Sequence, residues 1–367
     1  MVIRFYQKSR FMKVLLLGEF SALHKNLKEG LVEFGHNVDI ASSGDGWKSI
    51  NGDINLGSKR TGFLGIFEKM LNIAKALPKL KNYDVVQFVA PVIFPRYLGI
   101  NNLIVNYIFK NNCKVFLVGA GCNEPTTADF FEHRFKYPQF YKEIKKSDPN
   151  LWCQTEAGRR YDKWFLSKIN GFIPIMYEYA QGFRDTHYKK LCPTIPIPMN
   201  LKKIFYEDNI ILDKLVIFHG LNREGVKGTP LIKQAMDKLQ QDYPNDVECI
   251  IDGRMPLDEY LLLLRKTNIV IDQVYSVSIG VNGVYNLAMG KVVIGGGEPE
   301  FLEEFGLEKS PLIPIQADVD DIYRQLEKLV LRKNDILEMG KASRSFAEEV
   351  HNYKKVAQQF VSVWSKY

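Results

Sequence analysis

The chain carries little that would impose a fold from outside. Its 367 residues hold five cysteines, Cys113, Cys122, Cys153, Cys192 and Cys249. Their number is odd, their spacings are wide and no two form a CxxC. A disulfide framework and a thiolate metal site are therefore poor readings, and a reducing compartment is the simple expectation. No uninterrupted apolar run reaches the roughly 18 residues that a membrane span needs. The opening MVIRFYQKSRF is basic but has no apolar segment, so it does not read as a secretory signal, and ordered structure is expected from Met12. Zinc-finger spacing and RNA-recognition signatures are absent, which argues against a nucleic-acid partner. The formal net charge of +7 is mild. It suits phosphates, anionic lipid or an acidic substrate without choosing among them.

What is present reads as an ordinary globular α/β chain. Hydrophobic residues make up 46% and charged residues 25%, and the length suits two domains. KVLLLG at 13–18 is a short apolar run ending in glycine, as in a buried parallel strand. Leu23, Leu27, Leu31 and Phe34 then recur at helical spacing, with Ser21 as the expected cap and Gly35 as the stop. HNVDIAS restores a strand, which completes a β-α-β unit. Further strands are expected at 84–91 and 113–121, with a helix over LIVNYIFKN between them. Residues 122–165 are polar and aromatic and read as an irregular, helix-rich insertion before a strand at 171–176. CPTIPIPMN at 192–200 holds three prolines and marks the domain boundary. The alternation then restarts, with strands at 214–220, 246–253, 268–274, 291–297 and 311–315 and helices between them. Helices fill the rest of the chain from about 333.

The most informative stretch is HGLNREGVKGT at 219–229, between an expected strand and an expected helix. Its glycines let a backbone approach a ligand, Arg223 offers a planar fork of donors to phosphate, and Lys227 adds a point charge. The following helix start favours an anion. A plain surface loop with two solvated cations is the competing reading. The GxxxxGK[ST] spacing of a Walker loop is absent. GEFSAL stands where a GxGxxG would follow the first strand, which disfavours a dinucleotide oxidoreductase.

FHGLNREGVKGTPLI, CIIDG and VIDQVYSVSIGVNGVYNLAMGKVVIGG resemble the carboxyl-terminal domain of retaining GT-B glycosyltransferases, a family acting on nucleotide-sugars, often for bacterial surface polysaccharides. MKVLLLGEFS…GLVEFGHNVDIAS is similar to that family's amino-terminal domain. The resemblance implies an α/β GT-B fold, two facing Rossmann-like domains with an interdomain cleft. Residues 12–195 would be the acceptor-side domain, 196–345 the nucleotide-sugar domain, and 346–367 a helix returning to the first. It also implies that Arg223 and Lys227 hold the donor diphosphate and stabilise charge on the leaving group without a metal. No Asp-x-Asp stands at a suitable strand end; Asp320 and Asp321 read as charges at a helix start.

The sequence departs from the family at two positions. Relatives carry two glutamates separated by seven residues, and here those positions are Val277 and Tyr285. Asn282 or Asn286 could replace the second on the ribose. The donor side is expected to use Gly18, Gly220, Asn222, Arg223, Lys227, Gly253, Arg254, Gly280, Asn282, Asn286 and Glu298, the last in GGGEPEF with Glu300. Glu19, Phe20, Asn123 and Glu124 end strands on the acceptor side, and His133 is a candidate near the reacting sugar. Cofactors are not expected beyond the nucleotide-sugar, which is itself the donor substrate.

Two amphipathic stretches complete the pattern. Residues 63–81 mix Phe63, Leu64, Phe67, Leu71 and Ala74 with Lys69, Lys75 and Lys79. Packing on the chain's own sheet, lysines outward, is the simpler expectation; contact with an anionic membrane surface is the other. Val356, Phe360, Val363 and Trp364 give the last helix an apolar stripe for the first domain. The activity implied is sugar transfer with retention from a nucleotide-diphosphate sugar to a glycan or lipid-linked acceptor in the cytoplasm. A non-catalytic nucleotide or glycan binder and a nucleotide-sugar epimerase are the alternatives.

Overall fold

The computed structural model describes residues 11–45, 50, 52–122, 124–148, 151–221, 223–253, 255 and 257–367. Among these described residues, ten short strands form two parallel sheets. The first contains β1 (Lys13–Leu17), β2 (Asn37–Ser42), β3 (Ile54–Asn55), β4 (Val85–Phe88), β5 (Lys114–Gly119) and β6 (Gly171–Pro174), in the order 3-2-1-4-5-6. The second contains β7 (Leu215–Gly220), β8 (Val247–Asp252), β9 (Ile269–Ile271) and β10 (Val292–Ile294), in the order 10-9-7-8.

The sequence dictates this layering. Strands such as KVLLL are apolar on both faces, so they need helices above and below. Val14 and Leu16 face the helix Leu23–Glu33 and the last helix, Tyr353–Lys366. Leu15 and Leu17 face the opposite layer, which holds the helices Gly62–Ala76, Ile100–Asn111 and Glu156–Lys168. Strand order reverses between β1 and β4 in the first sheet and between β7 and β9 in the second. Each reversal opens a crevice at the carboxyl ends of the strands, the place where ligands bind in such sheets.

Local chemistry sets several helix starts. Thr155 accepts the Gly158 N–H, Asp318 the Asp321 N–H and Asn352 the Lys354 N–H; each such cap contributes about 1 kcal/mol. Tyr353–Lys366 packs on the first sheet. Trp364 is buried there, its Nε1 donates to Gln87 Oε1 at 3.1 Å, and Lys114 Nζ donates to the Trp364 carbonyl at 2.8 Å.

Three expectations need correction. Ser21 does not cap its helix: Ser21 and Ala22 take left-handed backbone conformations, and the Glu19 carboxylate receives the N–H groups of His24 and Lys25 instead. Residues 311–315 do not form a strand, because PLIPI has proline on both sides and makes only a single bridge from Ile313 to Ile294. The helix Gly62–Ala76 turns its apolar stripe outward. Gly65, Ile73 and Ala76 are its buried residues, while Phe63, Leu64, Phe67 and Leu71 are exposed.

Candidate functional site

The second sheet's crevice is built from the loop after β7 and the residue after β9. His219, within β7, is buried; its Nδ1 meets the Ile271 carbonyl and its Nε2 meets Thr229 Oγ1, both at 2.8 Å. Burial holds this imidazole down at about 4, so it serves as a neutral strut fixing where the loop begins and the next helix starts. Arg223 has φ +60°, a left-handed conformation, and opens the short helix Glu224–Lys227. Its side chain is exposed, and no carboxylate pairs with it among the described residues.

Lys227 points into the crevice. Its Nζ lies 3.1 Å from Asp272 Oδ1, and the side chains are 14% and 2% exposed. Asp272 follows β9 directly. It also receives Asn282 Nδ2 at 3.2 Å and the Gly280 N–H at 3.4 Å, and Tyr260 donates to Asn282 Oδ1 at 2.7 Å. A lysine ammonium has three N–H donors, so Asp272 orients Lys227 while leaving donors for a phosphate. Asp272 was missed in the sequence, although an acid directly after an apolar strand is a readable signal.

The first half closes over this crevice. Arg223 acts electrostatically on Cys122 and Tyr179: burial pushes the Cys122 thiol up to about 12 and raises Tyr179, and the guanidinium opposes both shifts. A side chain at Gly225 would collide with the Glu143 carboxylate, which belongs to the helix Pro138–Ser147. Tyr137 donates to Glu298 Oε1 at 2.6 Å, and Lys136 pairs with both Glu298 and Glu300. Arg184 pairs with Glu304 at 2.9 Å.

A second residue missed in the sequence is Glu178, in the first turn of the helix Tyr177–Asp185 just beyond β6. Its Oε1 accepts the N–H groups of Val277 and Ser278, each at 2.9 Å, and the Ser276 hydroxyl. Val277 itself sits in a cluster with Phe130, Phe131, Phe135, Tyr137 and Tyr141 of the first half. Val277, the position at which the sequence resemblance implies a glutamate, is thus buried among aromatics from the opposite half, which also sends a carboxylate to its backbone.

The other expected residues are dispersed. Gly18 ends β1 with φ +82°, and a Cβ there would lie 2.5 Å from Val89 Cγ1 and 2.7 Å from Ile93 Cδ1, so its close approach is to β4's loop. Glu19 caps a helix, and burial pushes its carboxyl up to about 7. Phe20 is half-buried against the core of that face. Glu124 turns inward beside Asp162; burial pushes these carboxyls to about 8 and about 7. His133 is exposed and lies 3.7 Å from Asp129. Asn286 is fully buried, its Nδ2 bonded to the Asn282 carbonyl at 2.8 Å. Gly220 is the last residue of β7, Gly253 follows Asp252 at the end of β8, and Gly280 precedes the helix Val281–Ala288 with open space beside it. Asn123, Asn222 and Arg254 lie outside the described residues.

Comparison with protein-family models and with curated sequences gives no match. Solved structures do match along nearly the whole chain. Sucrose-phosphate synthase from Thermosynechococcus elongatus aligns with a TM-score of 0.62 at 13% identity, over 96% of this chain and 98% of that one. HepE of Anabaena, in complex with UDP-glucose, gives 0.62 at 12%, over 97% and 100%. The UDP-GlcNAc 2-epimerase from Neisseria meningitidis bound to UDP-GlcNAc gives 0.50 at 14%, over 97% and 100%. At such identities the likeness is one of fold, and with two parallel sheets each layered by helices the chain has the GT-B fold.

Proposed function

We propose that this chain transfers a sugar, with retention, from a nucleotide-diphosphate sugar to a glycan or lipid-linked acceptor. The observation that carries this reading is the placement of Arg223 and Lys227 on one short loop at the switch point of the second sheet, with Lys227 held by Asp272. Cations fixed there would meet the charge that develops on a leaving nucleoside diphosphate, without a metal. HepE, with the same fold, binds UDP-glucose. In this reading residues 196–345 hold the donor and 12–195 face the acceptor, with 346–367 tied back to the first sheet. Gly280 and the helix start behind it serve the diphosphate, and Asn282 serves the ribose. No general base is assigned, since His133 is exposed beside Asp129; the departing phosphate takes the acceptor's proton.

Surface-polysaccharide biosynthesis in the cytoplasm is the setting this reading favours. A lipid-linked acceptor would bring the chain to the inner face of a membrane as a peripheral protein. No helix among the described residues is long and apolar enough to cross one.

Two other readings rest on specific observations. Val277 and Tyr285 stand where relatives carry glutamates, which favours a non-catalytic binder, and an epimerase shares the fold. Incubation with a panel of nucleotide-sugars separates them. Release of nucleoside diphosphate, accelerated by an acceptor, is the outcome expected here. Sugar interconversion without release would identify an epimerase, and saturable binding without turnover a binder.

A further inference from the structure

The helix Gly62–Ala76 faces water with the side that a surface helix ordinarily buries. Phe63 is 81% exposed, Leu64 63% and Phe67 57%, and with Leu71 and Ala74 they share one side of a helix turning at 3.6 residues per turn. A contiguous apolar face of this kind, rimmed by polar groups, marks a contact surface. The rim is cationic. Lys59 and Arg60 precede the helix, Lys75 lies beside the face, and Lys79 and Lys81 follow; Lys69 is on the other side, in line with Gly65 and Ile73, and Glu68 is the single acid from 59 to 81. Glu68 is already engaged, by the Ser58 hydroxyl at 2.7 Å and by Arg60 at 3.8 Å.

We propose that this face seats the chain on an anionic membrane leaflet, with Phe63, Leu64, Phe67 and Leu71 entering the acyl boundary and the exposed Lys59 and Lys75 beside them meeting lipid headgroup phosphates. Charge selects this occupant. A second copy docked through the same face would bring two sets of five cations together, whereas anionic lipid satisfies the cations and the apolar stripe at once. The inference deepens the peripheral placement proposed above and rests on it, but its test involves no sugar transfer, so it and the transferase reading fail separately.

The test is flotation of the full chain with vesicles of phosphatidylcholine alone and of phosphatidylcholine mixed with phosphatidylglycerol, with size-exclusion chromatography alongside. The chain should float with the mixed vesicles only, and less in high salt. The double variant Phe63→Glu, Phe67→Glu should lose binding by at least about tenfold with an unchanged circular dichroism spectrum, since both side chains already face water. The double variant Lys59→Ala, Lys75→Ala should weaken binding to the mixed vesicles, and soluble glycerol phosphate should not release the wild-type chain from them. Failure to float with anionic vesicles, equal flotation by the glutamate variant, release by glycerol phosphate, or a dimer that the glutamate variant converts to monomer would each overturn the proposal.

Discussion

Glu178 and Val277 meet across the two halves of the chain: one carboxylate oxygen of Glu178 accepts the Val277 N–H at 2.9 Å, and the same oxygen also takes the Ser278 N–H at 2.9 Å. A carboxylate buried against two backbone donors is a strong acceptor, and removing it strands the Val277 N–H and leaves the Ser278 N–H only the Ser276 hydroxyl at 3.3 Å. Glu178→Ala should therefore cost about 3 kcal/mol in urea unfolding and enlarge the radius measured by solution scattering, as the halves part. Glu178→Gln keeps an acceptor oxygen and should cost less. Equal stability for wild type and alanine variant would show that the contact holds nothing.

Asp272 and Lys227 form a nearly buried pair. Truncating one partner leaves the other charge unpaired, which costs about 3–5 kcal/mol in buried pairs. Asp272→Ala should thus destabilise more than the double variant Asp272→Ala, Lys227→Met, which removes both charges. A double variant less stable than the single would contradict the pairing.

Arg223 keeps a left-handed backbone that suits glycine. Arg223→Gly should relieve about 1 kcal/mol of strain and raise the melting temperature, while weakening nucleoside diphosphate binding. A residue retained for stability would show the opposite pattern. Strain tolerated at a ligand site gives this one.

Burial also sets a pH dependence. It lowers His24, His219 and His351 from 6.5 to about 4. Their contribution is present above 6.5 and lost as pH falls toward 4. It raises Glu124 from 4.5 to about 8, Glu19 from 4.5 to about 7 and Asp162 from 3.8 to about 7. Their contribution is present below the unfolded values and lost as pH rises through the folded ones. The two sets oppose each other between 4.5 and 6.5, and above that range the carboxyls act until Lys291, which burial lowers from 10.5 to about 8, begins to oppose them. Melting temperature should fall from about pH 6.5 to about pH 8, and Glu124→Gln should flatten that fall. An unchanged slope in the variant would remove Glu124 as the cause.

Most of the fold could be read from the chain. Apolar runs such as KVLLL and LVIFHG are long enough to need cover on both faces, and Leu23, Leu27 and Leu31 recur at a spacing only a helix can bury. The two-residue β3 is too short for any pattern to reveal. The spacing of Phe63, Phe67 and Leu71 reveals an amphipathic helix but not which way it faces, because tertiary contacts at Ile73 and Ala76 decide that. Arg223 and Lys227 stand out because cations among glycines are unusual between a strand and a helix. Glu178 does not, since its partners are backbone groups about a hundred residues away.

The account rests on a diphosphate site at Arg223 and Lys227, and isothermal titration calorimetry with UDP, GDP and ADP tests it most directly. At least one of these should bind the wild-type chain, and the double variant Arg223→Ala, Lys227→Ala should lose at least about tenfold in affinity for it, the equivalent of 1.4 kcal/mol. The same affinity in both proteins, or no heat from any nucleotide with the wild type, would contradict it.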